Sequence, residues 1–126
     1  MSNIINVEDI SVVIPTYNRC ELLKRAICSV INQTIQIREI IVVDNGSTDN
    51  TYEMVSSLFP KTTYIYEKIK GVSIARNLGI KKCHSSWIAF LDSDDAWEPQ
   101  KLEKQLFFAN NFNKKYRLIH TNEIWY

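Results

Sequence analysis

The stretch WIAFLDSDD, residues 87–95, joins five apolar residues to a segment with three carboxylates in four positions. The apolar part is strand-sized and too continuous for a strand with one wet face. Runs of this kind suit strands covered on both sides, as in a parallel sheet. Two further runs share the character: ISVVIP at 10–15 and IIVV at 40–43. TTYIY (62–66) and RLIHT (117–121) are weaker strand candidates. Each strong run ends in a polar cluster: Pro15-Thr16-Tyr17-Asn18-Arg19, Asp44-Asn45-Gly46-Ser47 and Asp92-Ser93-Asp94-Asp95.

Helical patterns lie between the runs. Asn18 with Glu21 three residues on reads as a capping box, and Leu22, Leu23, Ala26, Ile27, Val30 and Ile31 then fall on one helical face. Ser47 or Thr48 is positioned to cap a second helix carrying Met54, Val55 and Leu58, which Pro60 stops. Val72, Ala75, Leu78 and Ile80 mark a third. Pro99 at a first turn opens a fourth, with Leu102, Leu106 and Phe107 inward. Strands alternating with helices imply right-handed crossovers and an α/β sandwich.

Composition narrows the function classes. The 126 residues suffice for one domain with a substantial core. Fifteen Lys and Arg balance fourteen Asp and Glu, for a formal charge of +1, which argues against nucleic acid as a partner. Cys20, Cys28 and Cys83 are widely spaced and form no CxxC pair, so a zinc site or disulfide framework is not expected. His84, His120 and the cysteines read as structural. No apolar run approaches the ~20 residues of a membrane span, and no signal peptide is visible over Met1–Asp9. The expected setting is cytoplasmic, with peripheral association at the inner face of a membrane left open.

In an open α/β sheet, ligands gather at the carboxyl ends of the strands. There Asp92 and Asp94 are two residues apart, so in extended backbone their side chains share a face. Two carboxylates ~6 Å apart repel by roughly 3 kcal/mol at an effective dielectric of 20. A divalent cation removes that cost, and an all-oxygen set suits Mg2+ or Mn2+. The alternative is a solvated acidic turn at a helix N-terminus. Asp44 is either a ligand's hydrogen-bond acceptor or a turn residue before Gly46. Arg76 and Arg19 are either phosphate-binding cations or surface arginines. Tyr64 and Tyr66 read as sheet packing.

Together VVIPTYNR (12–19), IIVVDNGSTDNT (40–51), GVSIARNLGI (71–80) and WIAFLDSDDAWEPQKLEKQL (87–106) resemble, in order and spacing, the family 2 glycosyltransferases of the GT-A fold. The resemblance implies a Rossmann-like sandwich with a mostly parallel sheet. It implies transfer of a sugar from a nucleotide-diphosphate donor, typically UDP-linked with GDP and dTDP as alternatives, to a glycan or lipid-linked acceptor. Inversion at the anomeric carbon and bacterial surface-polysaccharide synthesis are its usual associations.

Carried over position by position, Pro15, Thr16 and Tyr17 line the base pocket with Arg19 nearby. Asp44 hydrogen-bonds the base, and Arg76 faces the nucleotide. Asp92-Ser93-Asp94 is the DxD motif, with Asp92 towards ribose and metal and Asp94 a direct ligand of Mn2+ or Mg2+. Asn45 stands where the family often has a second Asp, a change expected to keep the hydrogen bonding and lose one charge.

The catalytic base is expected beyond Tyr126. Residues 1–126 then form a single donor-binding portion without the acceptor part, expected to bind a nucleotide sugar weakly and transfer little alone. The rival reading is a truncated, non-catalytic nucleotide-sugar-binding or interaction module. A Rossmann dehydrogenase is excluded by the lack of a glycine-rich turn after the first strand: the three glycines are at 46, 71 and 79.

Overall fold

A computed structural model describes residues 10–112, 118–119 and 124–125. Six strands alternate with four helices: β1 (Ile10–Thr16), α1 (Cys20–Ile31), β2 (Glu39–Asp44), α2 (Thr51–Leu58), β3 (Thr63–Tyr66), α3 (Val72–Lys82), β4 (Trp87–Phe90), α4 (Lys101–Phe112), β5 (Leu118–Ile119) and β6 (Ile124–Trp125). They form one sheet in the order β3-β2-β1-β4-β5-β6. All pairings are parallel except β5 with β6. The expected α/β sandwich is the observed fold. In RLIHT, Leu118 and Ile119 form the strand, while Arg117, His120 and Thr121 lie outside the described residues.

β1 sits at the centre, and every one of its residues is buried. Its side chains alternate between two helix layers, as the strand period requires. Ile10, Val12 and Ile14 pack with Leu23, Ala26, Ile27 and Val30 of α1, Val55 of α2 and Leu102 of α4. Val13 turns to the other face, where Ile41, Val43, Phe90 and Ala75 of α3 meet it. Burying each Ile or Leu of this set stabilises the fold by about 1.5–3 kcal/mol.

α3 approaches β1 through small residues. A Cβ at Gly79 would stand 2.4 Å from Val13 Cγ1, so only glycine allows this spacing. The close approach goes with a narrow contact stripe, Ala75 and Gly79 with half-buried Leu78 beside them, and Val72 and Ile80, also expected inward on α3, are exposed. Leu22, Ile31, Leu58 and Phe107 are likewise exposed, at the margins of the faces that α1, α2 and α4 bury.

The helix starts differ from the sequence reading. Asn18 does not cap α1: it adopts a left-handed backbone (φ 50°), and its Oδ1 accepts from the Thr48 N–H at 2.7 Å. Arg19 is the N-cap and makes no side-chain cap bond, while Cys20 N–H donates to Asp49 Oδ2 at 3.2 Å. α2 begins after Asn50 rather than at Ser47 or Thr48, and Asp49 Oδ1 accepts from the Thr51 N–H and hydroxyl. One carboxylate thus serves both helix starts. Pro99 lies two residues ahead of α4, and its carbonyl accepts from the Thr34 N–H at 2.9 Å.

Candidate functional site

Parallel pairing brings the carboxyl ends of β1, β2 and β4 to one rim. Thr16 is in register with Asp44, and the ladder continues as Asn45 N–H donates to Thr16 O at 2.8 Å. On the other side Leu91 N–H donates to Val13 O at 3.1 Å. A cleft of about 430 Å³ opens at this rim. The β1 loop supplies Pro15, Thr16, Tyr17 and Arg19, and the β4 loop supplies Asp92, Ser93 and Asp94. Asn45, Lys70, Gly71 and Val72 complete its walls. Seven of the nine residues singled out from the sequence therefore share one cavity.

Asp44 and Arg76 stand just behind it. Asp44 is 1% exposed, and each carboxylate oxygen has one partner: Oδ1 accepts from the Ser47 N–H at 2.9 Å, and Oδ2 accepts from the Tyr64 hydroxyl. Burial, then the bond to Asp44, pushes the Tyr64 phenol far above its ordinary value. The phenol therefore stays protonated and is the donor of that bond. Arg76, from α3, reaches Asp92 with Nη2 to Oδ1 at 3.2 Å and lies over the Phe90 ring. The Tyr64 side chain thus works inside the site's polar network as well as in sheet packing.

The acidic turn is not extended. Asp95 N–H donates to Asp92 O at 2.9 Å, closing a turn over residues 92–95. The turn, not strand alternation, brings one carboxylate oxygen each of Asp92, Asp94 and Asp95 within 4.8 Å of one another. Besides Arg76 on Asp92, two more arginines answer this charge. Arg19 Nη1 lies 2.8 Å from Asp94 Oδ2, and Arg25 Nη2 donates to the Asp94 carbonyl at 2.9 Å.

Two buried polar atoms at the cleft lack partners among the described residues: Thr16 Oγ1 and Arg76 Nε. Leaving such a group unpaired costs about 1–3 kcal/mol, so they mark where a polar ligand would be stabilised. Three hard-oxygen carboxylates beside them fit a divalent cation of the Mg2+ or Mn2+ class. A larger groove, about 640 Å³, lies at the opposite end of the strands among Ile31, Ile35, Ile37, Leu58 and Phe59. Its one carboxylate, Glu39, is occupied by Ser11 and His84.

Sequence reasoning missed Lys70 and Gly71 as site residues because the segment between β3 and α3 carries no hydrophobic period, and it read Val72, the first residue of α3, only as an inward helix position. The available signal was Gly71 itself, whose φ of 141° lies outside the range L side chains favour.

The sequence pattern of the family described as "Glycosyl transferase family 2" matches residues 11–116. An uncharacterized glycosyltransferase of Rickettsia bellii is 45% identical over 107 residues, covering 82% of this chain and 16% of its own length. TuaG of Bacillus subtilis, a glycosyltransferase named for teichuronic acid biosynthesis, is 36% identical over 79% of this chain and 41% of its own length. Among solved structures, S. aureus TarS 1–349 in complex with UDP-GlcNAc superposes with a TM-score of 0.69 at 27% identity, over 80% of this chain and 31% of that 1–349 chain. The chain thus spans less than half the length of each of these three proteins. No helix among the described residues is long and apolar enough to cross a membrane.

Proposed function

The chain belongs to glycosyl transferase family 2, and we propose that it is the donor-binding portion of an enzyme that moves a sugar from UDP to an acceptor hydroxyl. One observation carries this reading: the loops after β1, β2 and β4 build a single cleft with a polar wall, an acidic turn and two unpartnered buried donors. That TarS was solved with UDP-GlcNAc supports uridine as the nucleotide. TuaG supports a product of the surface-polysaccharide kind.

The roles follow from chemistry. Thr16 Oγ1 hydrogen-bonds the nucleoside, and Tyr17, 43% exposed, offers a ring face to the base. Asp44 fixes the turn after β2 and presents its remaining lone pairs to the base. Pro15 and Ser93 shape the floor. Arg19 and Arg76 bring positive charge to the diphosphate side. Asp92 and Asp94 would hold the divalent cation. When bound, that cation supplies Lewis-acid stabilisation of the charge left on the diphosphate leaving group. The acceptor oxygen attacks the anomeric carbon from the face opposite the departing phosphate, which inverts configuration. The carboxylates lining the cleft, Asp92 and Asp94, are both on the donor side. The base that takes the acceptor proton is assigned outside this cleft, with the acceptor-binding part of the longer enzyme.

Calorimetry tests the reading: UDP, GDP and dTDP titrated into the chain with and without Mn2+, then into Asp94→Ala. UDP affinity that needs the ion and is lost in the variant is the expected result. Affinity indifferent to both the ion and the substitution would rule out Asp94 as a ligand.

A further inference from the structure

Asn45 spends its whole amide on one short piece of backbone. Nδ2 donates to Glu67 O at 2.9 Å and to Ile69 O at 2.6 Å, and Oδ1 accepts from the Gly71 N–H at 2.9 Å. The side chain is 8% exposed, so these bonds form away from competing water. The piece it holds, residues 67–71, links β3 to α3 and packs little: Ile69 is 59% exposed. Its other backbone ties are Glu67 N–H to Asp44 O, Ile69 N–H to Glu67 Oε1 and, at the start of α3, Ala75 N–H to Gly71 O at 3.1 Å. The segment carries Lys70 to the cleft, with Nζ 3.6 Å from the centre of the Tyr17 ring.

An aspartate could not substitute here. It would lose both donors and set a carboxylate against two carbonyl oxygens. The change at position 45 is therefore a change of role, not the near-neutral swap expected from the sequence. Of the cations lining the cleft, Arg19 is engaged with Asp94, whereas Lys70 rests on a ring face. An exposed cation–π contact is weak beside a charge-assisted bond to phosphate, so an arriving anion draws the ammonium from the ring and frees the face of Tyr17.

We propose that Asn45 is a positioning residue which, by clamping residues 67–71, holds Lys70 at the cleft wall as a ligand for the donor's diphosphate. This rests on the cleft being the donor site. The test is UDP binding with Mn2+ by the wild-type chain, N45D, K70M, K70R and the N45D/K70M double variant, with uridine as the uncharged probe. K70M is expected to weaken UDP about tenfold and uridine hardly at all, with K70R largely restoring UDP. N45D is expected to match K70M, and the double variant to lose no more than either single change, since both remove the same contact. UDP affinity unchanged in K70M overturns the role of Lys70, and additive losses overturn the clamp. If N45D does not fold, hydrogen exchange at the wild-type Gly71 amide decides: protection supports the clamp and free exchange overturns it. A folded wild-type chain that binds no UDP sinks the donor reading, and this inference with it. Mn2+-dependent UDP binding that K70M leaves intact sinks the inference alone.

Discussion

Arg19 and Asp94 form an ion pair across the mouth of the cleft, Nη1 to Oδ2 at 2.8 Å, with both side chains about half exposed. An exposed pair of this kind contributes only about 0–1 kcal/mol. It holds Asp94 in place without committing it, and a divalent ion displaces the guanidinium at little cost. Arg19→Gln is therefore expected to act in opposite directions on two ligands. Mn2+ affinity without nucleotide should rise about two- to fivefold, the equivalent of losing that competitor. UDP affinity with Mn2+ present should fall, because the diphosphate loses a cation. Manganese titration followed by UDP titration reads both. A parallel change in the two affinities would contradict the exchange.

Tyr64 and Asp44 are coupled in the same way, but under cover. The phenol donates to a carboxylate that is 1% exposed. Tyr64→Phe removes the donor and leaves a buried charge with one fewer bond, at a cost of about 1.5–3 kcal/mol. In the proposed role of Asp44 as an acceptor for the base, the freed lone pair becomes available to the ligand, so UDP affinity is expected to hold or rise while urea stability drops. Asp44→Asn should lower both. Loss of UDP affinity in Tyr64→Phe at unchanged stability would show that Asp44 does not serve the base.

The Gly79 and Val13 contact gives a stability prediction independent of ligand. A β-carbon at position 79 would meet Val13 Cγ1 at 2.4 Å and Cγ2 at 3.1 Å. Val13 is β-branched, fully buried and in the central strand, so its side chain is restricted in how it can give way. Gly79→Ala gains helix propensity of about 1 kcal/mol but forces α3 away from the sheet, at about 1–3 kcal/mol or more. Net destabilisation in urea unfolding is expected. Stabilisation would mean that α3 sits farther from β1 than described.

How much of this was open to sequence reading depends on where the information sits. β1, β2 and β4 are legible because strands buried on both faces must be apolar almost throughout, and ISVVIP, interrupted only by Ser11, IIVV and WIAFL have that character. The cleft is legible because parallel pairing forces the ends of those strands together, which is why Thr16, Tyr17, Arg19, Asp92 and Asp94 meet. What the sequence hides is pairing across loops. Asp49 serves two helix starts, and Asn18 bonds to Thr48, because the β1 and β2 loops lie side by side. No local pattern encodes that neighbourhood. The bend at Asp92–Asp95 is hidden for the opposite reason: DSDD is compatible with both strand and turn, and the turn wins because the ladder with β1 has already ended.

Glu39 ties the start of β2 to the loop before β4 and makes the sheet's far end sensitive to acid. Its Oε2 accepts from the Ser11 hydroxyl at 2.7 Å and from the His84 N–H at 2.6 Å, and Oε1 lies 3.1 Å from the His84 ring. Burial pushes the carboxyl upward, but the hydrogen bonds from the His84 N–H, Ser11 and the His84 ring outweigh it. The group is held below its ordinary value of 4.5. A carboxylate lowered in the folded state contributes stability that is complete above 4.5 and is lost as pH falls through the lowered value. Glu39→Gln cannot take part in that titration. It should be less stable than wild type at neutral pH, and the difference should narrow steadily as the solution is acidified below about 4.5. Chemical unfolding of the two proteins at a series of pH values from 7 downward measures the gap directly. A gap that stays constant through the acid range would mean that the Ser11 and His84 bonds do not favour the charged form of Glu39.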